Sequence, residues 1–288
     1  MIATHIYGGL GNQMFQLAHG LSLAARLQTE LVIDTRYYDR KRPTGMALSL
    51  SHFDIKAPEI TRHRLPAVMD DGLFAFLKAQ ISGTDWQFYR EAGPAYDAAT
   101  RTLPDSTYLR GYWQSERYFN DHADLVRDRL QLLTPPGDET LTVMKAQDAC
   151  LPVSLHIRRG DYVSNVKFSS IFGTCDLDYY RRAADRIAAN SATEPTFFAF
   201  SDDPDWVAEN LKLPYETVLV RHNGPDQNYD DIRLMTRCRH HIIANSSFSW
   251  WGGWLNPDPD KIVIAPARWF ADPSREIHDI VPESWLRL

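Results

Sequence analysis

The chain has 288 residues, 44% of them apolar and 24% charged, with a formal net charge of −6. That length suits two domains, each with its own core, and the negative balance excludes the broad basic footprint of a nucleic-acid binder, so any anion site must be local. The three cysteines, Cys150, Cys175 and Cys238, follow no metal-ligand spacing, which speaks against a disulfide framework or a zinc site and for a reducing compartment.

Met1 to Tyr7 lacks the basic start and long apolar core of a signal peptide, and no apolar run approaches the ~18–20 residues of a membrane span. The expectation is a soluble, cytoplasmic protein, with peripheral membrane association left open. Ile2 to Tyr7 reads as a strand, Gly8-Gly9-Leu10-Gly11-Asn12 as a glycine turn, and Met14, Leu17, Leu21, Ala24 and Leu27 as one face of a helix. Such a turn lets backbone amides approach a phosphate or sugar, beside the partial positive charge of a helix start. Leu31-Val32-Ile33 makes a second strand, ending at Asp34. The pattern partly imitates a dinucleotide fingerprint, but Met14 stands where its third glycine belongs, which disfavours a nicotinamide cofactor.

From Arg36 to Pro104 the pattern is weak, with a helix expected around Gly72 to Gln80. Tyr108 to Glu116 is a strand running into a polar, aromatic loop, and a helix is expected over Ala123 to Leu133. Thr134-Pro135-Pro136-Gly137-Asp138-Glu139 is the best linker, placing domains at 1–136 and 137–288.

The second half alternates strand and helix, which predicts an α/β fold with a parallel sheet covered on both faces. Val153, Leu155 and Ile157 alternate with Ser154 and His156, and this strand ends in Arg158-Arg159-Gly160-Asp161. Open α/β sheets bind ligands outside the carboxyl ends of their strands, and a guanidinium fork holds phosphate through parallel hydrogen bonds. The rival reading is a solvated turn with an internal Arg–Asp pair. Thr196 to Phe200 is a strand followed by Ser201-Asp202-Asp203-Pro204, in which Asp203 caps a helix and Pro204 opens it. Strand Thr217 to Val220, helix Asp230 to Arg239, strand His241 to Ala244, helix Phe248 to Leu255 and strand Ile262 to Ala265 complete the series. Asn245-Ser246-Ser247 stands at a strand-to-helix handover, where the hydroxyls either cap the helix or meet a pyrophosphate, and Trp250, Trp251 and Trp254 carry the spacing of core residues. Asp176-Leu177-Asp178, Asp203-Pro204-Asp205 and Asp258-Pro259-Asp260 imitate an Asp-x-Asp metal motif, but such triplets are common, and Pro204 explains one of them without metal.

The stretches Gly8 to Gln16, Gly111 to Glu116, His156 to Tyr162, Ser201 to Pro204 and Asn245 to Gly252 together resemble the bacterial-type α-1,2-fucosyltransferases of glycosyltransferase family 11. The resemblance implies a GT-B-like enzyme with two Rossmann-like lobes whose parallel sheets face a central cleft. The N-terminal lobe would serve the acceptor and the C-terminal lobe would bind the GDP-sugar. It implies inverting transfer of L-fucose from GDP-fucose to the 2-hydroxyl of a terminal β-galactoside in an oligosaccharide or surface polysaccharide, without a metal or other cofactor. Arg158 is then the β-phosphate ligand, with hydrogen bonds from Ser246 or Ser247 and nearby helix amides; Arg159 buttresses the loop or pairs with Asp161, and His156 and Asn245 belong to the same nucleotide site. Gly9, Gly11 and Asn12 form the facing turn, and Asp231, with Asp202 and Asp203 along its edge, receives the guanine. Asp161, Glu116 and Asp34 are the candidate bases, Asp161 first by motif membership; but two adjacent arginines would depress its pKa and leave it to orient Arg158, and a dissociative displacement with little base assistance is the alternative. The rival functions are a GDP-sugar transferase of other specificity and a non-enzymatic carbohydrate-binding module suggested by the 12% aromatic content.

Overall fold

The computed structural model describes residues 1–39, 47–59, 86–160, 163, 170–272, 274 and 279–288. The helix expected around Gly72 to Gln80, and Asp161, lie outside them. The chain divides between Leu133 and Thr134, with Asp279 and Ile280 belonging to the first unit and Val281–Leu288 to the second.

In the first unit β1 (Ile2–His5) leads through the glycine turn into α1 (Leu10–Leu27), followed by β2 (Leu31–Asp34), β3 (Gln87–Arg90) and β4 (Thr107–Arg110). Among the described residues the sheet order is β2-β1-β4-β3, every pair parallel. Met14, Leu17, Leu21 and Ala24 are buried, as their spacing requires. The helix lies close on the sheet at Gly20, where an added Cβ would come within 2.8 Å of the Leu31 side chain and 3.2 Å of that of Thr4. The helix expected to reach Leu133 is shorter: α2 spans Ala123–Arg129, and beyond it Leu132 forms an antiparallel bridge with Phe53.

The second unit opens with α3 (Asp138–Asp148), so the last residues of the expected linker, Asp138 and Glu139, instead form the acidic first turn of a helix. There follow β5 (Leu151–Ile157), α4 (Leu177–Ala189), β6 (Pro195–Ser201), α5 (Pro204–Asn210) and β7 (Thr217–Val220). The chain continues through α6 (Asn228–Arg237), β8 (His240–Ile242), α7 (Ser247–Leu255), β9 (Val263–Ala265) and β10 (Leu286–Arg287). The sheet order is β10-β9-β8-β5-β6-β7, again parallel throughout. Period-two alternation splits the core: Phe197 and Ala199 of β6 pack with Val153, Leu155, Ile157 and the α4 residues Ala183, Ala184 and Ile187, while Phe198 and Phe200 pack with Val220, Leu234 and Met235 on the other face. Trp250, Trp251 and Trp254 are buried and in ring contact. Among the described residues no helix is long and apolar enough to cross a membrane.

Three histidines are buried completely enough to stay neutral. Desolvation lowers His19, His156 and His241 to about 3 each. The Ser154 hydroxyl and the Asn256 amide lie 2.9 Å from the two ring nitrogens of His241. Adjacent His240 faces the other way and accepts from the Ile262 amide at 3.0 Å. A histidine neutral in the fold but protonated below pH ~6.5 when unfolded contributes stability that is present above that pH and lost as the pH falls towards the folded value. His19, between Trp113 at 4.7 Å and Tyr118 at 4.8 Å, is the simplest to replace by an uncharged ring. In urea unfolding at pH 7.5 and 5.5, His19→Phe should lose about 1 kcal/mol less than the parent on acidification, whatever its absolute stability.

Candidate active site

In the second sheet the strand order reverses direction at β5, whose neighbours β6 and β8 lie on opposite sides. At such a switch point the loops leaving adjacent strands part and leave a crevice at their carboxyl ends. Arg158 and Arg159 follow β5, and Asp202 and Asp203 follow β6 in the next parallel position. Arg158 Nη1 lies 2.9 Å from Asp202 Oδ2, and the Arg159 amide donates to Asp202 Oδ1 at 2.8 Å. One carboxylate therefore spans the guanidinium and the backbone of the loop. Gly160 permits this, because a Cβ there would sit 2.4 Å from Asp202 Oδ2. Arg159 donates to Asp203 Oδ2 at 3.1 Å and lies over the Trp206 ring at 3.6 Å. Asp203 also accepts from the Trp206 amide at 3.3 Å and so caps α5, as expected. The two arginines thus differ: Arg159 braces the loop, whereas Arg158 is a partly exposed guanidinium at the crevice.

His156 is buried beneath this loop, 5.7 Å ring to ring from Phe248, and both burial and the Arg158 charge keep it neutral. Ser246 accepts from the Phe248 amide at 3.3 Å and is the N-cap of α7, with Ser247 as the helix's first residue. Asn245 is more structural than the sequence suggests: its amide donates to the carbonyls of Phe172 at 2.9 Å and Trp269 at 3.0 Å, tying two loops together. Asp231 lies in the first turn of α6 and accepts from Asn223, just beyond β7, at 2.7 Å. Burial raises its carboxyl to about 7 despite that hydrogen bond, with a smaller contribution from Asp230, which is itself paired with Arg233. The second unit thus gathers Arg158, Asp202, the α7 start and Asp231 along the carboxyl edge of one sheet.

The remaining candidates lie in the first unit, at the carboxyl edge of its own sheet. The left-handed residue of the glycine turn is Gly8 (φ +82°), while an added Cβ at Gly9 would meet nothing within 4 Å. Gln13 holds the turn by donating to the Gly8 carbonyl at 3.0 Å and the Ala47 carbonyl at 2.8 Å. Asn12, on α1 beside Gly11, accepts from Gln114 at 2.7 Å, which joins two of the sequence motifs. Glu116 opens a single 3-10 turn and is half-buried. Asp34 is fully buried, bound at two points by Arg36 at 2.9 and 3.2 Å and by the Tyr108 hydroxyl at 2.7 Å, so its lone pairs are committed. Glu91, just after β3, was not legible in sequence. Its oxygens accept the amides of Tyr112 at 2.7 Å and Trp113 at 2.8 Å, and burial raises its carboxyl. It holds Trp113 at φ +56°, a conformation costing on the order of 1–3 kcal/mol for such a residue.

A family model described as Glycosyl transferase family 11 matches residues 1–288. The chain belongs to this family. Among the chain's relatives, an O-antigen biosynthesis glycosyltransferase, WbnK, of Escherichia coli is 30% identical over 98% of this chain and 98% of its own. An alpha-1,2-colitosyltransferase of the same organism is 30% identical over 100% and 99%. A solved structure of POFUT1 in complex with GDP-fucose superposes with a TM-score of 0.52 at 15% identity, covering 92% of this chain and 97% of that one. This likeness supports the fold: two α/β units with parallel sheets, of the GT-B-like kind.

In this family 11 chain each Asp-x-Asp triplet has other work. Asp176 caps α4 and Asp178 pairs with Arg182. Asp203 caps α5 and Asp205 pairs with Arg221, while Asp258 and Asp260 both face Arg239. Among the described residues no three His, Cys, Asp or Glu side chains form a metal-binding group. Among the described residues Arg158 and Arg159 are cations of this edge, and the pairing of Asp202 with Arg158 depends on Gly160. Gly160→Ala should displace Asp202 from Arg158 and lower glycosyl-transfer kcat/KM by about tenfold, on the order of one charge-assisted hydrogen bond, with circular dichroism unchanged.

Proposed function

We propose that the chain transfers L-fucose from GDP-fucose to the 2-hydroxyl of a terminal β-galactoside in an oligosaccharide or surface polysaccharide, with inversion and without an essential metal. The observation that carries this reading is Arg158 at the carboxyl end of β5, where the second sheet reverses its strand order, in a family 11 chain. As the acceptor oxygen attacks the anomeric carbon, the bond from that carbon to the β-phosphate oxygen breaks and charge accumulates on GDP. A guanidinium held by Asp202 at that edge would stabilise that charge with little reorganisation. The start of α7, capped by Ser246, adds its dipole, and Ser247 adds a hydroxyl.

Asp231 receives the guanine. An ionised carboxylate accepts two donors from the guanine edge that uracil does not offer, so it selects GDP over UDP. The acceptor proton passes to a carboxylate, for which Glu116 and Asp161 stay assigned and Asp34 is set aside because Arg36 and Tyr108 occupy it. The enzyme itself would work in the cytoplasm, peripheral to the inner membrane face.

The second reading is colitosyl transfer, favoured by the colitosyltransferase relative. Colitose is L-fucose without its 3-hydroxyl, and a site that hydrogen-bonds a hydroxyl rejects the analogue lacking it by ~10⁴–10⁵. Competition between GDP-fucose and GDP-colitose for lactose in excess EDTA separates the readings: fucosyl-lactose in α-1,2 linkage is expected, and a dominant colitosyl product would replace the sugar while keeping the site. Arg158→Ala should lower kcat/KM by ~10²–10³.

The Asp231 assignment has its own pH signature. With a value of about 7, Asp231 is increasingly protonated below neutrality. GDP affinity should therefore fall by up to about tenfold per pH unit below pH 7, and calorimetry on Asp231→Asn should show weaker binding and a shallower fall, the remainder coming from the β-phosphate, which takes up a proton at pH ~6.

A further inference from the structure

The nucleotide chemistry leaves one cluster of the first unit unused. At the carboxyl ends of β1, β2 and β4, Tyr7 lies 4.9 Å from Tyr112, 5.9 Å from Tyr37 and 4.9 Å from His5, ring to ring. Tyr108 backs His5 at 6.4 Å and is buried. Tyr112 is 42% exposed, whereas Trp113, the next residue, is fully buried.

The loop is built to hold that contrast. Glu91 takes both amides, Trp113 is kept in the left-handed region, and Gly111 admits Glu91 so closely that a Cβ would lie 2.4 Å from that of Glu91. An unconstrained loop would bury Tyr112 or release it to solvent; this one pins its ring beside Tyr7. The surroundings are polar in the manner a sugar needs. The Asn12–Gln114 amide pair belongs to the same loop and the adjoining helix, and Gly9 leaves open space. The Tyr7 and Tyr112 phenols are protonated at neutral pH and able to donate, and burial raises both further. An aromatic face carrying phenol hydroxyls, in a loop that also bears the Gln114 amide, matches a pyranose, which has a carbon-bound hydrogen face and a hydroxyl edge.

We propose that Tyr112 and Tyr7, pinned by Glu91, form the stacking platform for the galactose ring of the acceptor, making Tyr112 a determinant of acceptor binding. This rests on the glycosyltransferase reading above. β-Galactose suits it because its axial hydroxyl leaves the opposite face apolar. The donor's own pyranose and the guanine are the competing occupants, and both would couple Tyr112 to GDP-sugar binding.

The test uses saturation-transfer NMR on the whole chain with methyl β-D-galactopyranoside, together with GDP calorimetry and lactose kinetics on Tyr112→Ala and Tyr112→Phe. Transfer to the ring hydrogens of the galactoside is expected in the parent, kept in Tyr112→Phe and lost in Tyr112→Ala. The lactose KM of Tyr112→Ala should rise by about tenfold while its GDP Kd moves less than about twofold. No transfer to the galactoside in the parent, equal transfer in Tyr112→Ala, or a GDP Kd that weakens as much as galactoside binding would overturn the proposal. If the galactoside signals behave as expected but the parent fucosylates no galactoside, the platform stands and the transferase assignment fails.

Discussion

Parallel pairing of β5 with both its neighbours is the constraint on which the candidate site depends. A parallel sheet can be extended only by returning the chain through a crossover, so every strand ends on the same edge as β5. That is why Asp202, 43 residues beyond Arg159, can accept its amide, and why the capped start of α7 opens on the same side as the arginine loop. The long apolar faces of β5 and β6 stabilise this register from both sides of the sheet, through Ala183, Ala184 and Ile187 on one and Leu234 and Met235 on the other. The ends of the strands carry the charges and the middles carry the packing.

The charge arrangement is local against an overall balance of −6. Arg159 is committed to Asp203 and Trp206, and Asp202 fixes the direction of Arg158. Arg158 is thereby a guanidinium already oriented, and a group of fixed direction loses less freedom on meeting a ligand. In the first unit, carboxylates do comparable work without cations at Glu91, which orders a loop through backbone amides, and with one at Asp34.

How much of this was legible in sequence follows from the range of each interaction. Alternation in Val153 to Ile157 marked β5 because burial on two faces is a local pattern, and Asp203-Pro204 marked α5 because capping is local. Gly8 to Gln16 and Asn245 to Gly252 were legible as motifs, yet part of their content serves the fold: Gln13 staples the turn, and Asn245 ties two loops. The short edge strand β3 has two exposed ends and no clear period, so Glu91 beyond it gave no signal. Pairings across 43 or more residues, such as those of Arg159, need the topology before they can be read. Pro135-Pro136-Gly137 reads as a linker, and its turn chemistry concealed that α3 begins at once.

The central claim is that Arg158 holds the β-phosphate of a guanosine diphosphate. The most direct measurement is the ratio of GDP to GMP affinity by calorimetry, in the parent chain and in Arg158→Ala. Because GMP lacks the β-phosphate, the parent should prefer GDP by about tenfold or more, and the ratio should fall towards one in Arg158→Ala. A preference that survives the substitution unchanged, or a parent that does not distinguish the two nucleotides, would contradict the account.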